Sequence, residues 1–377
     1  MRWNCPPDKT KASTVDALVE SVASVEFPAT ALRRRRVSST ESLARRLGLR
    51  LVSADTLTIR RRRCGRGFSY YTQDGALIRD RKEVRRLNAL AVPPAYADAL
   101  YSEDPSAHLQ AVGRDAAGRL QYRYHPEWEK VREARKAHRL AQLVEAMPRI
   151  RRSVAQHLSG QEPTREMALA AVIELVARSA IRPGSESYAR VNGTRGATTL
   201  LKSNVTISGD TITLEFRAKG GQDIRKEIRA SRLCAVIALL RRLPGRRLFQ
   251  YRSEDGSVRP VRAREVNAFL RTLADVRISL KDFRTLCASA SALDALVRTL
   301  PADNARKRRK QVLEAVRGAA AELHNTPAIC RKSYIHDAVV SAFENGVLER
   351  FAVTLRGCRS VARKEQFLAE ILAAGAL

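Results

Sequence analysis

Arg182, Lys219, Lys281, Arg284 and Tyr334 follow one another along the chain in an order that could serve chemistry on a phosphate. Arg182 stands in Ile181-Arg182-Pro183-Gly184, where a helix-forming stretch from Thr164 to Ala180 stops and Pro183-Gly184 turns the chain. A guanidinium buried there can grip two phosphate oxygens with its planar fork. Lys219 lies in Phe216-Arg217-Ala218-Lys219-Gly220-Gly221, a hairpin turn. An exposed tip can carry a lysine into a groove, and a partly desolvated ammonium can release a proton as a general acid. Ser279-Leu280-Lys281-Asp282-Phe283-Arg284 reads as a helix start, with Ser279 as cap and Asp282 three residues on. Lys281 and Arg284 then share one face near a helix N-terminus, which already favours phosphate. Asn325-Thr326-Pro327 turns the chain after a helix ending near Leu323, and Tyr334 follows, close to Arg331 and Lys332. A free phenol has a pKa of about 10, so a nucleophilic tyrosine needs cationic neighbours, and these two lower the cost of a phenolate. Taken singly, each residue has a plain alternative: a surface arginine at a helix end, a solvated lysine in a turn, a tyrosine that packs.

The elements that must hold these residues change in character along the chain. Residues 1–44 read as a basic, solvated extension containing Arg33-Arg34-Arg35-Arg36. Residues 45–137 carry short β-like pieces such as Leu51-Val52-Ser53 and Gly67–Tyr71, punctuated by Gly, Asp and the helix-breaking Pro93-Pro94. From His138 to the end helical patterns dominate. One β interlude breaks them: a strand at 204–208, a Gly209-Asp210 turn, a strand at 211–216, the Lys219 turn and a strand at 222–228. The fold class expected is α+β, a small β-rich N-terminal domain beside a larger, mainly α domain with a small sheet.

Composition narrows the partner. Sixty-nine basic residues against 39 acidic give a net charge of +30, most simply explained by a polyanion; RNA binders and membrane-surface proteins share the trait. No apolar run approaches the roughly 20 residues of a membrane span. Met1-Arg2-Trp3-Asn4-Cys5-Pro6 shows no apolar segment of a secretory signal. The six cysteines are scattered without a C-x-x-C pair, which fits reduced thiols and a cytoplasmic location.

With the order arginine, hairpin lysine, K-x-x-R and tyrosine assembled, the chain resembles the short type IB DNA topoisomerases of poxviruses and bacteria, which share a catalytic core with the eukaryotic enzymes. The resemblance runs from about residue 45 to the end. It puts the family's first catalytic arginine on Arg182 in IRPGSESY, its hairpin lysine on Lys219, its second arginine on Arg284 in KDFRT and its nucleophile on Tyr334 in CRKSYIH. His108–Asp115 and Gly118–His125 match the family's N-terminal signature. Arg119, Gln121, Tyr122, Arg123 and Tyr124 there, with Tyr188 in IRPGSESY, are the expected DNA contacts; in a β-rich segment such side chains reach base edges and phosphates. A packing role for Tyr122 or Tyr124 stays open.

The resemblance implies the tyrosine recombinase/type IB topoisomerase catalytic fold. It also implies a reaction in which Tyr334 attacks a phosphodiester of double-stranded DNA, forms a 3′-phosphotyrosyl link, lets the cut strand swivel and is displaced by the 5′-hydroxyl. No cofactor, metal, ATP or small-molecule substrate is expected, no membrane partner, and a monomer that clamps the duplex. One position departs from the viral pattern. Where those enzymes put a histidine before the T-P pair, this chain has Asn325, with His324 one residue earlier. Asparagine can donate to a phosphate oxygen but cannot supply a proton. Two rivals stand beside this reading. A tyrosine recombinase shares the catalytic set, but usually carries H-x-x-R at Lys281-x-x-Arg284 and lacks the GRLQYRYH segment. A non-enzymatic nucleic-acid-binding protein would use the charge alone and give Tyr334 no special role.

Overall fold

The computed structural model describes residues 39–358 and 360–374. Most of the expected extension, with its arginine run, lies outside the described residues. Its last part does not behave as an extension: α1 (Thr40–Arg46) is capped by the Ser39 hydroxyl, which accepts from the Ser42 N–H at 3.1 Å. Ala44 is buried with Leu49, Trp128 and Val131, so the expected end at residue 44 falls inside a packed helix.

The N-terminal part is built on one antiparallel sheet of five strands, β1 (Ile59–Cys64), β2 (Gly67–Tyr71), β3 (Ala97–Tyr101), β4 (Leu109–Arg114) and β5 (Leu120–Tyr124), in the order β2-β1-β3-β4-β5. α2 (Arg81–Ala89) packs Leu87 against Ile59, Tyr70, Tyr101 and Ala111. The strand expected at Leu51–Ser53 does not form. The Val52 N–H goes to the His108 ring at 3.2 Å, and a 3₁₀ turn, Ala54–Thr56, follows. β1 is instead the arginine-rich IRRRRC segment. Arg61 there folds over Phe68, 4.2 Å from the ring centroid, and donates to the carbonyls of Val92, Pro93 and Tyr96.

α3 (Trp128–His157) is a 30-residue helix that runs straight through the expected boundary at 137/138. Beyond it the chain surrounds α4 (Arg165–Ser179), whose apolar residues point in every direction and are nearly all buried. As the sequence leads one to expect, Thr164 caps α4 and Ala180 closes it. After the short α5 (Glu186–Asn192) come β6 (Val205–Ser208), β7 (Thr211–Arg217) and β8 (Asp223–Arg229), an antiparallel sheet whose β7–β8 turn holds Lys219. α6 (Ser231–Arg241), the two-stranded β9 (Gln250–Arg252) and β10 (Val258–Pro260), and α7 (Ala263–Ala274) lead to α8 (Leu280–Val297). α9 (Ala305–Glu322), α10 (Pro327–Ser333), α11 (Asp337–Glu344), α12 (Glu349–Arg356) and α13 (Val361–Ala374) complete it. One apolar core runs through this region, from Ala137 on α3 to Leu372 on α13. The architecture is α+β, as expected.

Candidate active site

Arg284 is the organising side chain. It sits one turn into α8, which Ser279 opens: the Asp282 carboxylate accepts from the Ser279 backbone N–H at 2.8 Å and from its hydroxyl at 2.9 Å. Only 2% exposed, Arg284 is the largest of the fully buried side chains among the described residues. A buried guanidinium must find acceptors. Nη1 donates to the Ala180 carbonyl and Nη2 to the Leu323 carbonyl at 3.1 Å, the ends of α4 and α9. Its Nε has no partner.

The first of those helix ends carries Arg182. Ala180 takes a left-handed φ of 53°, and the chain turns through Pro183 and Gly184. The turn is pressed against Gly196, whose N–H side packs so closely that a Cβ there would stand 2.5 Å from the Arg182 carbonyl and 2.6 Å from the Gly184 nitrogen. Only glycine fits. The second end carries His324 and Asn325. Asn325 N–H bonds to Ala320 O at 2.9 Å and His324 N–H to Ala321 O at 3.1 Å, a Schellman ending with His324 at φ 48° in the place glycine usually fills. Across the gap Arg182 Nη2 donates to Asn325 Oδ1. Asn325 Nδ2 is buried and, like Arg284 Nε, has no partner.

Tyr334 closes α10, a helix started by Thr326 with Pro327 in its first turn, so the expected turn at Thr326-Pro327 is a helix N-terminus. The Arg284 guanidinium carbon lies 5.0 Å from the Tyr334 ring centroid. Burial alone would raise the phenol's pKa; the nearby charge of Arg284, with those of Arg182 and Lys281, brings it below the ordinary value. The cations that do this come from other elements. The sequence neighbours expected to do it face elsewhere: Arg331 pairs with Asp337 at 2.5 Å, and Lys332 is exposed. The backbone of Tyr334 is also held. Ser289 on α8, fully buried, donates its hydroxyl to the Tyr334 carbonyl at 3.0 Å and accepts the His336 N–H at 3.2 Å. Ser289 escaped sequence reasoning, the one available signal being a hydroxyl in the otherwise apolar Ala288-Ser289-Ala290 stretch.

Arg182, Arg284, Asn325 and Tyr334 are therefore brought together, with Lys281 exposed at the start of α8 and felt by Tyr334. Lys219 is not part of the group: it is exposed at the hairpin tip, and no hydrogen bond or ion pair among the described residues holds it. His324 is half-buried, and its pKa is lowered by burial and then by Lys226, Arg284 and Arg182. That keeps the imidazole neutral at its helix end. The missed cation is Lys226, on β8.

The expected DNA contacts line β5 and its neighbourhood. Tyr122 and Tyr124 are exposed and stack at 6.1 Å between centroids, and Tyr124 continues onto Trp128 at 6.2 Å. Asp115 holds the Arg119 side chain and the Gln121 amide, both bonds 2.8–2.9 Å. Arg123 donates to the Ala91 carbonyl at 2.9 Å. The Arg119 pKa is raised by Asp115 and then by the nearby Tyr188, which is exposed on α5. Among the described residues no three His, Cys, Asp or Glu side chains cluster as metal ligands, and no helix is long and apolar enough to cross a membrane.

Two family models match the chain: eukaryotic DNA topoisomerase I, catalytic core, over residues 125–351, and bacterial DNA topoisomerase IB, N-terminal domain, over residues 67–115. DNA topoisomerase 1B of Acanthamoeba polyphaga mimivirus is 31% identical over 294 residues, covering 76% of this chain and 88% of the viral one.

Proposed function

We propose, for a chain that belongs to the type IB DNA topoisomerases and acts on DNA, that Tyr334 is the nucleophile of a strand-cutting transesterification. The phenolate oxygen attacks phosphorus, the bond from phosphorus to the 5′ oxygen breaks, and that oxygen takes a proton and leaves as a 5′-hydroxyl. A 3′-phosphotyrosyl link stores the phosphodiester. The cut strand swivels, and the 5′-hydroxyl attacks the link and restores the backbone. Nothing in this route uses ATP or a metal. Lys219, carried in by its hairpin, supplies the proton with Arg182, while Arg182, Arg284 and Asn325 meet the charge of the crowded phosphorus. Preorganised donors of this kind typically contribute about 2.7–4 kcal/mol each to a transition state.

One observation carries the assignment: two buried donors, Arg284 Nε and Asn325 Nδ2, have no protein partner in the group that surrounds Tyr334. Buried donors left open are costly unless something else fills them. A phosphate oxygen would. The same reading gives Asn325, not His324, the place of the viral histidine, as a donor and not an acid.

The N-terminal part, residues 45–137, is taken to clamp the duplex and residues 138–377 to cut it, as a monomer, with α3 common to both. Tyr122, Tyr124, Gln121, Arg119, Arg123 and Tyr188 would line the clamp. The workplace proposed is the nucleoid of the cytoplasm, where Cys64, Cys234, Cys287, Cys330 and Cys358, all unpaired, stay reduced. Supercoiled plasmid incubated with the protein in EDTA and without ATP tests the core of this. Relaxation of both positive and negative supercoils is expected, and strict dependence on magnesium or ATP would overturn it.

A further inference from the structure

Lys226 sits on β8, on the strand that descends from the Lys219 turn, opposite Leu214. Its ammonium donates to the Ser179 carbonyl at 2.6 Å and to the Glu322 carbonyl at 2.7 Å. These are the last residues of α4 and α9, where unsatisfied carbonyls and the helix dipole both attract a cation. One residue further along each chain, Arg284 binds the carbonyls of Ala180 and Leu323. Two cations thus tie the same two helix ends.

The ends need tying. Each leaves its helix through a left-handed residue that is not glycine, Ala180 at φ 53° and His324 at φ 48°, and such backbone persists only when its surroundings hold it. Each then presents one of the side chains assigned to the phosphate, Arg182 and Asn325. Arg284 cannot hold them unaided while its own Nε engages a substrate, because any shift of its guanidinium would drag both turns. Lys226 has no such second duty.

We propose that Lys226 is a positioning residue for strand cleavage, stapling the turn of Arg182 to the turn of Asn325 and both to the base of the Lys219 hairpin. The proposal rests on the reading that Arg182 and Asn325 meet the scissile phosphate. Lys226 is not cast as a proton donor: two of its N–H groups are already spent on main-chain carbonyls.

The test is a cycle of single-turnover cleavage rates on a short duplex with full-length protein. Lys226→Met, which keeps the stem and removes the charge, should slow cleavage about 100-fold, the scale of a misplacement near 1 Å. Its DNA affinity should stay within about threefold of wild type, since no contact with DNA is removed. In an Arg182→Ala, Asn325→Ala background the same change should cost under about threefold, because the two side chains that the stapled turns present are gone. A duplex with sulfur as the 5′ leaving atom, which needs no acid, should restore Lys219→Ala and leave Lys226→Met slow. Wild-type cleavage by Lys226→Met, an undiminished loss in the double background, or rescue by sulfur would each overturn the proposal. Should Lys226→Met not fold, Lys226→Gln takes its place: its shorter amide reaches one carbonyl, so about a tenfold loss is expected, and none would overturn it. If Arg182→Ala and Asn325→Ala alone leave cleavage untouched, it is the reading of the site that fails. If they slow it and Lys226→Met does not, only the staple fails.

Discussion

Arg284 is 2% exposed, and Tyr122 is 47% exposed; both belong to surfaces proposed to meet a DNA strand. Around Arg284 the side chains are tied to main-chain carbonyls and to one another, and the donors that remain open are buried. Along β5 the rings of Tyr122 and Tyr124 lie open, and the cations beside them are lightly held by Asp115 or by a single carbonyl. The difference follows from what each must do. Charge that appears only in a transition state is best met by dipoles already fixed in a dry place. Charge that is always present along a backbone is met by exposed groups that release counterions, at little cost of burial. Changes at the first surface should therefore alter rate at constant affinity, and changes at the second should alter affinity and site preference at constant chemistry.

The sharpest way to break that contrast is Tyr334→Phe. It removes one oxygen and almost no volume, so folding and DNA binding should survive while cleavage disappears entirely. Wild-type protein stopped with denaturant should carry DNA on its 3′ end; an adduct at a 5′ end, or on another tyrosine, would unseat Tyr334. Next in size is Asn325→Ala, which should slow both cleavage and religation by roughly 10²–10³ at most, the loss of one oxyanion donor. Asn325→His should keep most activity, since an imidazole can donate from the same place, and His324→Ala should be nearly neutral. If His324→Ala is the crippled variant and Asn325→Ala cleaves normally, the histidine has kept its role through the turn.

How much of this was legible beforehand differs between the two surfaces for a physical reason. The proposed catalytic set could be read as an ordered string because Arg182, Lys219, Arg284 and Tyr334 each sit beside, or a turn or two after, a turn or helix start that residue type betrays: Pro183-Gly184, Gly220-Gly221, Ser279, Thr326-Pro327. What lowers the Tyr334 pKa could not be read, because Arg284, Arg182 and Lys281 reach it through packing of α8 against the ends of α4 and α9. Arg331 and Lys332, adjacent in sequence, point away. Lys226 looks like any charge on a β-strand, and Ser289 like any small helix residue; only the two carbonyls that Lys226 meets, and the Tyr334 carbonyl and His336 N–H that Ser289 meets, give them meaning. In the N-terminal sheet β1 is an arginine-rich segment with no apolar alternation to mark it as a strand, and its Arg61 is folded onto Phe68 and three carbonyls. The helix start at Trp128 and the order in Thr40–Arg46 were likewise set by burial of Ala44 and Leu49 against Trp128, which lies far along the chain from both.

A smaller effect should sharpen the contrast from the other side. Tyr122→Ala removes a stacked ring from β5, and Gln121→Ala removes an amide held by Asp115. Each should weaken site preference and lower affinity severalfold, with the cleavage rate at saturating protein unchanged. DNA affinity of all these proteins should fall log-linearly with salt, at about −0.9 per phosphate contact. The slope should be the same in both variants as in wild type. Measured by binding titrations over a range of salt, unchanged site preference in both would make that segment packing alone.

The smallest expected effect is one of pH on stability, and it reaches the surface around Tyr334 from behind. His336 lies two residues past Tyr334, the proposed nucleophile, and is 5% exposed; its Nδ1 accepts the Ala338 N–H at 3.1 Å and so caps α11. Nε2 faces the Glu133 carbonyl at 3.2 Å, with the Glu133 carboxylate, Lys136 and Asp337 around it. Burial lowers its pKa more than Glu133 and Asp337 raise it, so the folded protein holds the ring neutral. A proton on Nδ1 would leave two donors facing each other at the cap. The unfolded chain titrates near 6.5, and below that pH it binds a proton that the folded form refuses, so stability is present above about pH 6.5 and drains away as pH falls toward the lower folded value. His108, His138 and His324 are lowered by burial as well and add to the same trend. The unfolding midpoint should drop by several degrees from pH 7 to pH 5. His336→Asn keeps a neutral cap acceptor and removes one titrating ring, so its midpoint should drop less over the same interval. An equal drop in the variant would mean that His336 takes no part, and that the support behind Tyr334 is insensitive to acid.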